Sequence, residues 1–171
     1  MVKQMKIRDG NVYINGLSTH GQSSEITLPE ISPNKSEYKA LGLIGTMKSF
    51  MGFDAFEVSI KWNSPRNEVA IACSNPMKAV DLMVRANRDV IENGTVVEQQ
   101  PVVFYLRGTP ANIPLGTIKP KEDTETETKL DITYIKWIQN GEEICELDIP
   151  NNIFVVGGVD LLAKYRENLG I

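Results

Sequence analysis

The chain has 171 residues, 42% hydrophobic and 23% charged, which suits one soluble domain with its own core; its apolar runs, such as residues 102–106, are too short to cross a bilayer. A net charge of −4 and a pI near 5.1 exclude tight binding to phosphate backbones, which needs clustered Lys and Arg, yet suit a surface past which DNA slides without sticking. Met1-Val2-Lys3-Gln4-Met5-Lys6 runs into Ile7, Arg8 and Asp9 without the apolar middle of a secretory signal, so the chain is expected to stay in the cytoplasm after synthesis.

In chain order, Val12-Tyr13-Ile14 is predicted as a strand that turns at Asn15-Gly16, a dipeptide suited to the positive φ angles of a tight hairpin. Leu17 begins the return. Ile26 and Leu28 mark a short strand ended by Pro29. Residues 36–62 form a long excursion in which Gly42, Gly45 and Gly52 interrupt Tyr38, Leu41, Leu43, Ile44, Met47, Phe50, Met51 and Phe53. Two readings stand for so much apolar surface: a loop folded into the core, or an arm completed by a neighbouring subunit. The returning limb is clearer, because Phe56, Val58, Ile60 and Trp62 alternate with Glu57, Ser59 and Lys61, the period of a half-buried strand.

Ser64-Pro65 reads as an N-cap and first helical residue, predicting a short helix from Arg66 to Cys73 that buries Val69, Ala70 and Cys73. Residues 78–90 admit a helix after Asn75-Pro76, but the alternation of Val80, Leu82, Val84 and Ala86 with Asp81, Met83, Arg85 and Asn87 favours a strand. Asn93-Gly94 turns into a strand over residues 96–107, and a loop follows over residues 108–120. A long strand then runs from Thr124 to Ile138, with Leu130, Ile132, Tyr134, Lys136 and Ile138 on one side. Asn140-Gly141 turns it, and residues 144–149 return to Pro150. Residues 159–169 are predicted as a terminal helix with a stripe of Leu161, Leu162, Tyr165 and Leu169, closed by Gly170. Many strands with two short helices imply an antiparallel sandwich or barrel, mainly β, in one domain spanning residues 1–171.

No catalytic or metal-binding motif is found, and no cofactor is expected. The one histidine, His20, sits in a turn without a second His or a Cys nearby. Gly-rich phosphate loops, G-x-S-x-G elbows and H-E-x-x-H helices are missing. Cys73 and Cys145 belong to no C-x-x-C pair and are read as buried thiols. Glu122, Asp123, Glu125 and Glu127 lack the spacing of a calcium loop, so a solvated or channel-lining strand face is the better reading. Asn93-Gly94-Thr95 has the form of a glycosylation acceptor but is read as a turn.

Two stretches carry a family resemblance. One is Val12-Tyr13-Ile14-Asn15-Gly16, Gly21, Ile26-Thr27-Leu28-Pro29-Glu30-Ile31 and Glu37-Tyr38-Lys39-Ala40 with Gly42; the other is Tyr134-Ile135-Lys136, Asn140-Gly141-Glu142-Glu143-Ile144, Glu146-Leu147-Asp148, Asn152 and Gly158-Val159-Asp160-Leu161-Leu162, leading to Arg166, Asn168, Leu169 and Gly170. With these, nearly the whole chain resembles the major tail tube proteins of contractile-tailed phages of the P2 type and of R-type phage-tail-like bacteriocins. The resemblance implies two packed antiparallel sheets, hexameric rings stacked into a tube with a β-barrel lumen, and no catalysis. It implies assembly in the bacterial host cytoplasm and residence in the virion tail or a phage-tail-like particle. The implied partners are other copies, tail sheath subunits, baseplate, initiator and terminator proteins and, in a phage, DNA in passage, without stable membrane insertion. The apolar residues Tyr38 to Phe53 named above become candidate inter-subunit contacts, and Glu125, Glu127 and Asp131 become candidates for a negative lumen wall. Competing readings are a carbohydrate-binding β-sandwich using Trp62 or Trp137, an enzyme with a dispersed site, and a headless bacteriocin or secretion-system tube of related architecture.

Overall fold

The structure, a computed structural model, describes residues 2–171. In chain order its elements are β1 (Lys3–Ile14), β2 (Leu17–Ser18), β3 (Ser23–Thr27), β4 (Pro33–Tyr38), β5 (Met47–Phe53), β6 (Phe56–Trp62) and α1 (Asn67–Ala72). Then come β7 (Val80–Glu92), β8 (Thr95–Pro110), β9 (Thr126–Gln139), β10 (Glu142–Asp148), β11 (Ile153–Val156), β12 (Val159–Asp160) and α2 (Ala163–Leu169). The chain is mainly β and wholly antiparallel, as its alternation predicts, and residues 80–92 are strand rather than helix.

Turn chemistry sets the register. Asn15-Gly16, Asn93-Gly94 and Asn140-Gly141 all take positive φ at both residues, the geometry of a two-residue hairpin loop whose twist matches its strands. Each loop opens a ladder, pairing Ile14 with Leu17, Glu92 with Thr95, and Gln139 with Glu142.

One continuous sheet in the order β12-β11-β10-β9-β8-β7-β1-β2 is joined by β6, which pairs with β9, and β3, which pairs with β6. Val58, Ile60 and Trp62 of β6 share a buried core with Val12, Ile14, Leu82 and Val84 of β1 and β7. The two layers are therefore one sheet folded over itself, with β9 common to both. Val69 of α1 and Cys73 at its C-cap close one side of this core. Trp62 is 1% exposed, and its indole N–H donates to Thr128 Oγ1 at 3.0 Å, leaving no buried donor unpaired there.

β9 departs from the expected single face. Gly108 pairs with Ile132 and Arg107 with Tyr134, so Thr133 is an extra residue opposite β8. Leu130, Ile132 and then Ile135 are buried, while Tyr134, Lys136 and Ile138 turn to the opposite face. There they line a groove of about 830 Å³ with Tyr13, Met83 and Tyr105.

The helices also differ in detail. α1 starts at Asn67, with Arg66 in extended backbone at its N-cap and no side-chain cap; the Arg66 N–H donates instead to Gln22 Oε1 at 2.9 Å. Ser64 and Pro65 thus lie before the helix rather than capping it. Val159 and Asp160 form β12, leaving α2 only Ala163–Leu169, ended by Gly170 in the left-handed region at φ 73°. The stripe of Leu161, Tyr165 and Leu169 is exposed.

Candidate assembly interface

The apolar residues of the arm are in the open. β4 and β5 form a separate two-stranded hairpin, and Tyr38, Leu41, Leu43, Ile44, Met47, Phe50 and Met51 are all exposed on it. Leu41 and Ile44 at its tip are 105% and 111% exposed, bare even by the standard of an extended peptide. Phe53 alone among the eight packs inward, edge-on to Phe154 with ring centres 4.9 Å apart. The limb at Phe56–Trp62 belongs to the main sheet and not to the arm, because its alternation buries Phe56, Val58, Ile60 and Trp62.

Sheet edges are the second exposed feature. β2 pairs with β1 only at Tyr13 and Ile14, and β8 meets β9 only from Val102 onward. Residues 3–10 and 95–100 are therefore the two outer edges of a three-stranded finger with the end of β7 between them. Asp89, 2% exposed, ties the finger together: it accepts from Arg8 Nε of β1 at 2.8 Å, Asn87 Nδ2 at 2.8 Å and Gln99 Nε2 of β8 at 3.0 Å. One buried carboxylate with donors from all three strands satisfies its charge and fixes their lateral spacing. Lys3, Lys6 and Arg8 put positive charges along the β1 edge, a common guard against indiscriminate strand pairing.

The acidic candidates lie on the exposed side of β6 and β9. Glu127 and Asp131 point outward from β9, and Glu125 precedes the strand instead of alternating within it. A cross-strand row joins Glu25, Lys61 and Glu127, with Lys61 Nζ 3.1 Å from Glu25 Oε2, while Ser59 Oγ donates to Glu127. Glu25 raises the Lys61 pKa, first by that hydrogen bond and then by its charge, with smaller help from Glu127 and Glu125. Asp131 lies opposite Glu57, itself 3.7 Å from Lys129 Nζ. The face is net negative but interleaved with lysines, a feature the run of glutamates did not reveal.

α2 is clamped through Arg166, which donates to the Asn152 carbonyl at 2.9 Å and pairs with Asp160. The hydrogen bonds that Arg166 donates to the Asp160 carboxylate hold its pKa below the usual range. Between the arm base, the β10–β11 turn and α2 lies an apolar groove of about 540 Å³. His20 is exposed in a turn, its N–H 3.4 Å from Ser18 Oγ. Among the described residues no three His, Cys, Asp or Glu side chains are placed to hold a metal, and no helix is long and apolar enough to cross a membrane. Neither tryptophan offers a glycan platform: Trp62 is buried, and half-buried Trp137 stacks on Phe104 at 6.0 Å.

A folded β-sheet with open edges and a bare apolar arm defines a building block of a larger protein assembly. The phage tail tube protein FII family matches residues 4–170, and the chain belongs to that family. It is similar to the tail tube protein of Escherichia phage P2, at 28% identity over 175 residues covering 100% of each chain. Its role is structural, as a tail tube subunit of the virion.

Proposed function

We propose that copies of this chain close into hexameric rings and stack as the inner tube of a contractile tail, inside a sheath and between baseplate or initiator and terminator proteins. The observation that carries the reading is surface. The isolated chain exposes 11538 Å², whereas a compact monomer of its mass exposes roughly 8,400 Å². The excess of about 3,000 Å² is what permanently associated subunits bury against one another. Residues 3–10 and 95–100 supply the edges through which a sheet continues from copy to copy, and ring closure is what removes such edges. Synthesis and assembly take place in the bacterial host cytoplasm, with no stable membrane insertion.

The net negative face around Glu125, Glu127 and Asp131 suits a wall that repels DNA in passage. Replacing all three with Lys is expected to slow DNA ejection while leaving tubes intact; unchanged ejection would remove these residues from the wall. Assembly itself is tested by sedimentation velocity and negative-stain microscopy over a dilution series, with and without tail initiation complexes. Rings or hollow tubes are expected, and a monomer throughout would overturn the reading.

A further inference from the structure

We propose that the arm tip of one copy, Leu41 and Ile44, seats in the groove between β5, the β10–β11 turn and α2 of a second copy. The proposal rests on the tube reading and deepens it by pairing a donor surface with its receiver. The groove is lined by Phe50, Phe53, Ile149, Ile153, Leu162 and Tyr165, and its 540 Å³ is the volume of a cleft that encloses a small apolar ligand. The tip offers two branched aliphatic side chains with no intramolecular cover.

A copy cannot fill its own groove. Phe50 and Phe53 in the groove belong to the base half of β5, whereas the tip lies beyond Met47. Along β5, Met47 stands about 10 Å from Phe50 and about 20 Å from Phe53, and the tip lies farther out still. Knob and hole on different parts of one molecule make a heterologous contact, in which each copy gives one tip and receives another, so the contact propagates into rings or filaments. Charge favours the same match. The arm carries Lys35, Lys39 and Lys48 against Glu37 in a chain of net charge −4, so the rest of a second copy is acidic and attracts it.

The test uses full-length chains in a Cys145→Ser background, one carrying Ile44→Cys and the other Tyr165→Cys, assembled alone and mixed and then oxidised. A disulfide-linked dimer is expected in tubes of the mixture and in neither chain alone. Tubes without that link, or a link as strong with Ile44→Cys alone, would overturn the proposal. Absence of tubes from the unsubstituted chain would defeat the tube reading and the groove assignment with it. Ile44→Asp, at a fully exposed position, should leave the melting temperature unchanged and raise the concentration needed for assembly about tenfold or more, a loss of one well-packed contact. Assembly at the unsubstituted concentration would again overturn the proposal.

Discussion

The carbonyl oxygen of Asp131 passes so close to Gly108 that a Cβ placed on Gly108 would sit 2.1 Å from it, and 2.8 Å from the carbonyl carbon. Both obstacles are backbone, so no side-chain rotation relieves them. This close approach occurs beside the extra residue Thr133, where β9 reverses the face it presents to the core. Gly108→Ala is expected to lower stability by about 3 kcal/mol through forced separation of β8 and β9. Urea unfolding checks this, and a loss within the scatter of surface substitutions would show that the two strands separate freely.

Asp89→Ala removes the acceptor shared by Arg8, Asn87 and Gln99. The expected cost is roughly 2 kcal/mol, since hydrogen bonds to a charged group are lost within the buried centre of the finger. Hydrogen exchange should accelerate in residues 3–10 and 95–100 before it does in β6 or the middle of β8. Uniform acceleration would show that the carboxylate supports the whole fold and not the finger in particular.

The alkaline limb of stability should carry a thiol contribution. Burial among the apolar residues packed by α1 pushes Cys73 from 9.0 up to about 11. Below pH 9 the thiol is protonated in both states and its contribution is complete. Between pH 9 and 11 unfolded chains release the proton and folded chains keep it, so stability falls as pH rises, by about 1.4 kcal/mol at pH 10. Tyr134, raised to about 12 first by burial and then by Glu146, titrates in an overlapping range. The measurement therefore compares Tyr134→Phe with Tyr134→Phe/Cys73→Ala, and the second protein should lose that part of the pH slope.

Elements are legible in the sequence wherever one local rule decides the backbone. Asn-Gly pairs force positive φ, and alternation in residues 56–62 and 80–84 fixes a buried face, so these strands and turns stand where predicted. Elements are not legible where a distant strand decides. The face of β9 changes at Thr133, which stands unpaired between Ile132 opposite Gly108 and Tyr134 opposite Arg107, and alternation along residues 130–138 carries no trace of that register shift. Likewise residues 159–169 have helical spacing, but Val159 and Asp160 are taken by pairing with β11. The arm's apolar load was visible in its composition, while its exposure depends on Phe53 turning inward and the rest outward. The β1 edge leaves no signal in the sequence because residues 3–8 lack clean alternation; their strand state comes from pairing with β7.

Cryo-electron microscopy of tubes assembled from the purified chain tests the central claim most directly. The account predicts a hollow tube in which residues 3–10 of β1 are hydrogen-bonded to a strand of a neighbouring copy. A tube in which that edge faces solvent, or a chain that stays monomeric even when seeded by tail initiation complexes, would contradict it.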